Sequence, residues 1–197
     1  MTNDLLLPSH YLPSILYFKA IIASEANQVQ ICTNERYVKQ SFRNRTRILG
    51  PHQVEQLIIP VHAHNHQLMK DVIIDERSKW ARNHWKTIEN CYRKAPFFEY
   101  YEAYLFPFYT QKNDCLIAFN SDLLKMILRL MQVKKSLIYR ELGEATLWDI
   151  SAKKHETWIM NGEFKPYAQN FGTQFVENLS ILDLLFMQGP QAIHYLK

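Results

Sequence analysis

Glycine and cysteine are both scarce in this chain of 197 residues. With only 5 glycines there is no glycine-rich loop to surround a phosphate, and no Gly-x-Ser-x-Gly elbow to present a serine nucleophile. The three cysteines, Cys32, Cys91 and Cys115, stand far apart, and without a Cys-x-x-Cys pair a zinc knuckle or a thioredoxin-like motif is excluded. We expect buried free thiols in a reducing compartment.

Long apolar runs and a strong net charge are also lacking. No stretch approaches the ~18 apolar residues of a membrane span, and no basic segment followed by an apolar one marks a secretion signal. We therefore expect a cytoplasmic protein without membrane insertion. The 23 basic and 19 acidic residues give a net charge of +4. This balance suits an anionic small-molecule ligand and is too weak for a general nucleic-acid binder.

Apolar residues are plentiful, at 47% of the chain with 13% aromatics, so a sizeable core is expected. Leu5–Leu7, a helix after Ser14 and Gln28–Thr33 predict a β-α-β unit with two parallel strands. No linker, repeat or low-complexity segment interrupts the chain. We predict an α/β fold in a single domain over residues 1–197, with a central, mostly parallel sheet flanked by helices and a helix-rich second half.

Further elements follow from periodicity and from stop signals. Strands are predicted at Val54–Val61, Val72–Ile74 and Ser136–Tyr139. Helices are predicted at Trp80–Tyr92, Phe97–Phe106, Asn120–Gln132 with a cap at Asn120 or Ser121, and Leu179–Met187 before Gly189-Pro190. The aromatic residues of Phe97–Tyr109 either form a homodimer surface or cover the sheet.

The most informative segment is the turn bracketed by Pro8 and Pro13. A strand that stops here places His10 and Tyr11 at the carboxyl end of the sheet, while Ser14 can cap the following helix. Ligands of open α/β folds tend to bind at that edge. The turn therefore predicts a binding site, with His10 as a candidate for proton transfer.

A basic segment, residues 36–47, is the densest candidate for anion binding. It carries five cations within twelve residues, interleaved with Tyr37 and Phe42. Arginine forks bind phosphate or carboxylate bidentately, so Arg43 and Arg45 are candidate phosphate ligands and Asn44 is a candidate to orient a polar group. A solvated basic surface is the alternative.

The helix Trp80–Tyr92 places His84 one turn after Trp80 on the same face. With His10, His84 could form a pair that moves protons near neutral pH, and Tyr11 or Trp80 could stack on a substrate ring. A histidine on an apolar helical face is more often a hydrogen-bonded core residue. Both interpretations stay open.

Two other patterns carry weaker predictions. His62, His64 and His66 would share one face of an extended segment, as a metal site requires, but a histidine-rich hairpin tip is favoured and no metal site is predicted. Ser180 and Asp183 fit an N-cap and a first-turn carboxylate. A structural role is favoured for Ser180, whereas Asp183 is left open.

Taken together, these segments resemble the WbqC-like protein family in the family's order over nearly the whole chain. The matching residues are Pro8, Tyr11, Pro13, Tyr17 and Phe18; Tyr37-Val38-Lys39-Gln40-Ser41 leading to Arg43-Asn44-Arg45; Leu57-Ile58-Ile59-Pro60-Val61; Trp80 and His84; Tyr92-Arg93-Lys94-Ala95-Pro96-Phe97-Phe98; and Leu179–Gly189.

The resemblance implies a cytoplasmic role connected with O-antigen and other surface polysaccharides, by modifying activated sugars or transferring groups to them. This chain departs from the family at Ser14-Ile15-Leu16-Tyr17, where Trp-x-Gly-Tyr is common, and so loses the close backbone approach of a glycine. It also looks short between Ile138 and Tyr167. These departures predict a different substrate or an impaired activity.

Three functions are compatible with these patterns. The first is a transferase-like enzyme acting on an anionic activated small molecule such as a nucleotide sugar or an acyl donor. The second is a non-catalytic ligand-binding or scaffold protein of envelope biogenesis. The third, nucleic-acid binding through the basic segment, is less favoured. The sequence identifies no cofactor.

Overall fold

Three short parallel strands form the largest sheet of the computed structural model, which describes residues 5–64, 67–141 and 163–197. The sheet has the order β1 (Leu5–Leu7), β2 (Gln28–Cys32) and β7 (Ser136–Arg140), and both neighbouring pairs are parallel. Val29 and Ile31 of β2 are completely or almost completely buried. The predicted β-α-β unit is confirmed, because α1 (Ile15–Ala23) connects β1 to β2.

Two antiparallel pairs lie outside this sheet. The first joins β3 (Arg45–Leu49) to β4 (Val54–Ile58), and the second joins β5 (Val61–His62) to β6 (Ile73–Ile74). The sequence analysis missed β3, because arginines in the segment look like solvent-exposed coil. Its alternating burial nevertheless has the period of two that a half-buried strand requires.

Four more α-helices follow, and short 3-10 helices lie at Met69–Asp71, Phe106–Tyr109 and Gly189–Tyr195. The four α-helices are α2 (Trp80–Tyr92), α3 (Phe98–Leu105), α4 (Leu116–Leu130) and α5 (Ile181–Gln188). The predicted α/β class and the helix-rich second half are confirmed. One apolar cluster extends from Leu7 to Leu196 and includes buried residues of every one of these helices.

The start of α4 corrects a prediction. Asn120 and Ser121 were expected to cap this helix, but it begins at Leu116, so both residues lie inside it. Leu116 and Ile117 are buried and extend the apolar face by one turn. The hydroxyl of Ser121 donates to the carbonyl of Ile117 at 2.5 Å, the bond typical of serine within a helix.

The two serine caps differ as well. Ser14 stands at the N-cap position of α1, but its hydroxyl makes no capping bond. Ser180 caps α5 as predicted, since its oxygen accepts from the amide of Leu182 at 3.3 Å. At the start of α1, the amide of Ile15 donates to the carbonyl of Leu179 at 2.9 Å. This bond ties the starts of α1 and α5 together.

The aromatic helix α3 has two different faces. Phe98, Tyr101 and Leu105 are buried in the core, whereas Tyr100 and Tyr104 are 64% and 42% exposed. The segment therefore covers the core and also presents aromatic surface. No helix within the described residues is long and apolar enough to cross a membrane. Cys32 and Cys91 are buried, and Cys115 is half-buried.

Replacement of Gly189 by alanine should destabilise the fold. Gly189 ends α5 with a φ of 52°, and a Cβ there would lie 2.5–2.6 Å from ring carbons of Phe97. Gly172 is a matched control, because its φ is 80° but the nearest atom to a Cβ would be 3.8 Å away. Chemical denaturation should show Gly189→Ala to be less stable than Gly172→Ala by about 1–3 kcal/mol. Equal losses would contradict the close packing of Phe97 on this glycine.

Candidate functional site

The turn after β1 is fixed at its backbone. The amide of Tyr11 donates to the carbonyl of Phe42 at 2.9 Å. The carbonyl of Leu12 accepts two hydroxyls, from Thr46 at 2.8 Å and from Ser180 at 3.1 Å. Leu12 has a φ of 41°, a conformation that a branched side chain rarely adopts. These bonds hold it there, so the direction of the Tyr11 side chain is set by three separate parts of the chain.

A hydrogen-bonded chain links Tyr11 to the helix α2. The Tyr11 hydroxyl lies 3.0 Å from Nδ1 of His84 and 3.0 Å from the hydroxyl of Tyr109. Nε2 of His84 lies 3.1 Å from the carbonyl oxygen of Ile58. Because a carbonyl can only accept, Nε2 carries the proton and Nδ1 accepts from Tyr11. Tyr109 then donates to Tyr11, and every donor in the chain is used.

Burial keeps the hydrogen-bonded side chains of Tyr11, His84 and Tyr109 uncharged. It lowers the pKa of His84 to about 4, against an opposing effect of the Ile58 carbonyl. Burial also raises the pKa of Tyr11 and of Tyr109 well above the ordinary value. At neutral pH the imidazole is therefore uncharged, and both phenols keep their protons. His84 presents a lone pair at Nδ1 toward Tyr11, which is the arrangement needed to receive a proton through that hydroxyl.

Trp80 packs beside His84 within the same cluster. Their ring centroids are 5.3 Å apart with the planes at 76°, and Phe119 meets Trp80 edge-on at 5.3 Å. The indole Nε1 donates to a carboxylate oxygen of Glu76 at 3.4 Å. Trp80 is buried. Its ring thus supports His84 and Phe119 in this structure.

His10 lies against a different group of aromatic side chains. Its ring centroid is 5.1 Å from that of Tyr17 and 5.7 Å from that of Phe42. His84 instead has Tyr11 and Trp80 as ring neighbours. Although His10 and Tyr11 are adjacent in sequence, they are surrounded by different residues.

Arg43 forms a buried ion pair that the sequence analysis missed. Its Nη2 lies 2.5 Å from Oε2 of Glu35, and both side chains are at most 4% exposed. The other carboxylate oxygen of Glu35 accepts from the amide of Ser9 at 3.0 Å. Burial raises the pKa of Glu35, and the guanidinium of Arg43 opposes that rise. The charge of Arg43 is therefore matched inside the protein.

The next two residues of the basic segment have different environments. Asn44 is buried, and its amide Nδ2 donates to the carbonyl of Ile59 at 2.8 Å. Arg45 is partly exposed, and its Nε is buried without a hydrogen bond to any described residue. Burial raises the pKa of Tyr37, and the positive charges of Arg45 and Arg43 oppose that rise. Of the predicted phosphate ligands, Arg45 is the one whose charge no described carboxylate matches.

The histidine-rich segment lies apart from these residues. His62 is in β5, and its Nε2 is 3.4 Å from Oδ1 of Asp75 and 3.3 Å from Nη2 of Arg77. His64 follows the strand, and His66 lies outside the described residues. Within the described ranges, no group of three or more histidine, cysteine or acidic residues could hold a metal ion.

A second buried carboxylate belongs to Asp183 on α5. It accepts from the hydroxyl of Tyr92 at 2.8 Å, the hydroxyl of Tyr167 at 2.5 Å and Nε2 of Gln169 at 3.0 Å. Burial raises the pKa of Asp183, and these three bonds oppose the rise. Asp183 thus fastens α5 to α2 and to the segment after residue 163. In the sequence, the burial of Asp183 is signalled by its position as a carboxylate in an otherwise apolar helix.

Removal of one partner of the Glu35–Arg43 pair should be more harmful than removal of both. Arg43→Met leaves a buried, unmatched carboxylate and should lower the free energy of unfolding by about 3–5 kcal/mol. Glu35→Gln combined with Arg43→Met removes both charges and should recover a large part of this loss. Urea denaturation of the single and double variants measures the difference. A double variant as unstable as Arg43→Met would contradict a matched pair.

The buried imidazole of His84 should make the free energy of unfolding decrease when the pH is lowered. The pKa of His84 is about 4 in the folded protein and about 6.5 in the unfolded chain. As the pH falls from 6.5 toward 4, the unfolded chain takes up a proton that the folded protein does not. Stability that is fully present above pH 6.5 is therefore lost in this window, by about 3 kcal/mol.

The variant His84→Gln should remove this contribution, and denaturation at pH 7 and pH 4.5 measures it. His52→Gln is the control, because His52 is exposed. We expect the stability difference between the two pH values to shrink in His84→Gln and to stay unchanged in His52→Gln. Equal differences in all three proteins would show that His84 is not held neutral.

The comparisons with known proteins agree with this chain's own motifs. The chain is 25% identical to the uncharacterised protein Rv1507c of Mycobacterium tuberculosis (strain ATCC 25618 / H37Rv), in an alignment of 238 positions. That alignment covers 100% of this chain and 98% of the relative. No solved structure matches the chain. The model of the WbqC-like protein family matches residues 9–161 and 151–195. These two ranges include the turn, the basic segment, His84 and α5, and the chain belongs to the WbqC-like protein family.

Proposed function

We propose that this protein is a transferase-like enzyme of surface polysaccharide biosynthesis. Its substrate would be an anionic activated small molecule, either a nucleotide sugar or an acyl donor. Such donors are made in the cytoplasm, and we place the protein there. Membership of the WbqC-like family supports the connection with polysaccharides.

The observation that carries the proposal is a link between a cation and the neutral imidazole. Arg45 stands directly opposite Ile58 in the β3–β4 hairpin, and the carbonyl of Ile58 accepts from His84. Directly opposed residues of an antiparallel pair have side chains on the same face. An anion held by Arg45 would therefore be bound by the same hairpin that orients His84.

In this proposal the candidate residues have distinct roles. Arg45 binds the phosphate of the donor, and Asn44 orients a polar group next to it. Arg43 positions the segment that presents them, through its pair with Glu35. Tyr11 and Trp80 are the candidates to stack on a substrate ring; both are buried in this structure, so the ring would have to enter the aromatic cluster around His84. His10 is a second candidate for proton transfer.

The transfer step needs one proton acceptor. The oxygen of the acceptor hydroxyl forms a bond to the sugar or acyl carbon, while the bond from that carbon to the leaving phosphate or thiolate breaks. The acceptor's proton passes to the oxygen of Tyr11, whose own proton moves to Nδ1 of His84 along the existing 3.0 Å hydrogen bond. The neutral state of His84 is what allows it to take this proton.

A ligand-binding protein without catalysis is the second candidate. It is favoured by the internal partners of the site: both nitrogens of His84 are hydrogen-bonded within the protein, and Arg43 is matched by Glu35. Such a protein would hold the same ligand and release it unchanged.

Thermal denaturation with candidate donors tests the proposal first. UDP-glucose and acetyl-coenzyme A represent the two donor classes. A donor that binds only the folded protein raises Tm, with a stabilisation of about 2.7 kcal/mol at a concentration of 100 Kd. We expect at least one class to raise Tm, and no change with either class would contradict the proposal.

Turnover then separates the two candidate functions. For a donor that binds, loss of the donor in the presence of an acceptor is followed by mass spectrometry. His84→Gln should keep the rise in Tm and lose at least 100-fold in rate, since general base catalysis contributes about 10²–10⁴-fold. His52→Gln should turn over like the natural protein. Binding without turnover in the natural protein would favour the second candidate.

A further inference from the structure

Two arginines of β3 share one face of the hairpin. Arg45 and Arg47 are two residues apart and partly exposed, whereas Thr46 between them is buried. The Thr46 hydroxyl donates to the carbonyl of Leu12, which fixes its side chain on the inner face. Because side chains alternate along a strand, Arg45 and Arg47 lie together on the outer face.

Both guanidinium groups have an unused donor in a buried position. Nε of Arg45 and Nε of Arg47 are buried, and neither has a hydrogen bond to a described residue. Arg47 donates from Nη2 to the carbonyl of Asn178 at 3.2 Å. No carboxylate of the described residues is within ion-pair distance of either arginine, in contrast to the neighbouring Arg43. A buried donor without a partner is uncommon. Nε of Arg43 also has no hydrogen bond to a described residue, so the missing carboxylate partner is what distinguishes Arg45 and Arg47 from Arg43.

The opposite strand leaves this face open. Ile58 stands opposite Arg45 and is 40% exposed, and Gln56, opposite Arg47, is also exposed. The outer face of the hairpin therefore offers two cations, an amide and an aliphatic surface to a ligand.

We infer that Arg45 and Arg47 bind the diphosphate of a diphosphate ester on the outer face of the β3–β4 hairpin. Residues two apart in a strand are separated by about 7 Å, so their long side chains can each reach one of two adjacent phosphoryl groups. The planar fork of arginine matches phosphoryl oxygens in two parallel hydrogen bonds.

This inference rests on the proposed function and narrows its substrate class. Nucleoside-diphosphate sugars and coenzyme A thioesters both contain a diphosphate ester, whereas sugars linked to a nucleoside monophosphate and acyl carriers joined through a single phosphodiester do not. The sequence analysis named Arg43 and Arg45 as phosphate ligands, and this inference replaces Arg43 by Arg47. Arg43 is engaged by Glu35, and Arg47 projects from the same face as Arg45.

Calorimetric titration with inorganic pyrophosphate tests the site without a sugar or an acyl group. We expect pyrophosphate to bind at least tenfold more tightly than inorganic phosphate. Arg45→Gln and Arg47→Gln should each weaken pyrophosphate binding at least tenfold, and Arg45→Lys several-fold, because lysine keeps the charge and loses the fork. Arg82→Gln removes the same charge from an exposed position of α2 and should change affinity less than twofold.

Equal affinities for pyrophosphate and phosphate, or equal effects of Arg45→Gln and Arg82→Gln, would overturn the inference. Arg47→Gln also removes the bond to Asn178, so its Tm is measured with its affinity. The Arg45 variant decides in any case, since Nε of Arg45 has no hydrogen bond to a described residue that the substitution would break.

Two further outcomes separate this inference from the proposed function. Pyrophosphate binding through Arg45 and Arg47, without binding of either donor, would leave the site intact and contradict the transferase. If UDP-glucose is bound and turned over, and neither Arg45→Gln nor Arg47→Gln changes this, the proposed transferase function stands and the inferred diphosphate site is overturned. If Arg45→Gln and Arg47→Gln weaken the binding of acetyl-coenzyme A but not that of UDP-glucose, the diphosphate bound at this site is that of the coenzyme A thioester.

Discussion

The buried pair of Glu35 and Arg43 holds the candidate site together. Glu35 accepts from the amide of Ser9, which begins the turn carrying Tyr11, and the carbonyl of Arg43 accepts from Asn120 on α4 at 2.8 Å. Arg43 is among the largest fully buried side chains of the described protein. Two charges removed from water are tolerated only when they match each other. Both carboxylate oxygens of Glu35 are hydrogen-bonded, whereas Nε of Arg43 has no hydrogen bond to a described residue. The turn, the basic segment and α4 are thus fixed at a single point.

This constraint divides the basic segment into two parts. Arg43 supplies structure, and its charge is cancelled within the protein. Two residues later the chain enters β3, where Arg45 and Arg47 lie on the outer face with no carboxylate of the described residues beside them. One end of the segment is therefore tied to the turn that carries Tyr11, and the other end is where we propose that an anionic ligand binds. Ile58 lies between Arg45 and His84. It stands opposite Arg45 in the hairpin, and its carbonyl accepts a hydrogen bond from His84.

Local patterns predicted the elements of the fold well, and the pairing of distant side chains poorly. The apolar face of Trp80–Tyr92 and the alternation in Gln28–Cys32 repeat over short distances, so periodicity alone located them. The bond between Tyr11 and His84 joins residues 73 positions apart, and that of Arg43 with Glu35 depends on how a loop folds back. Strand β3 was missed because its arginines suggested a coil. The residues Arg-Thr-Arg-Ile-Leu show no alternation of apolar and polar types, and only the structure shows that Thr46 is buried between two partly exposed arginines. A charged residue can occupy a strand whenever one face meets solvent.

The most direct test of this division of charge is nuclear magnetic resonance of the arginine Nε–H groups during titration with pyrophosphate. Assigned signals report each guanidinium separately, so structural and ligand-binding arginines can be told apart in one experiment. We predict that the signals of Arg45 and Arg47 shift to saturation while that of Arg43 stays in place, because Glu35 already holds its guanidinium. A shift of Arg43 with Arg45 and Arg47 unchanged, or no shift of any of the three, would contradict the account.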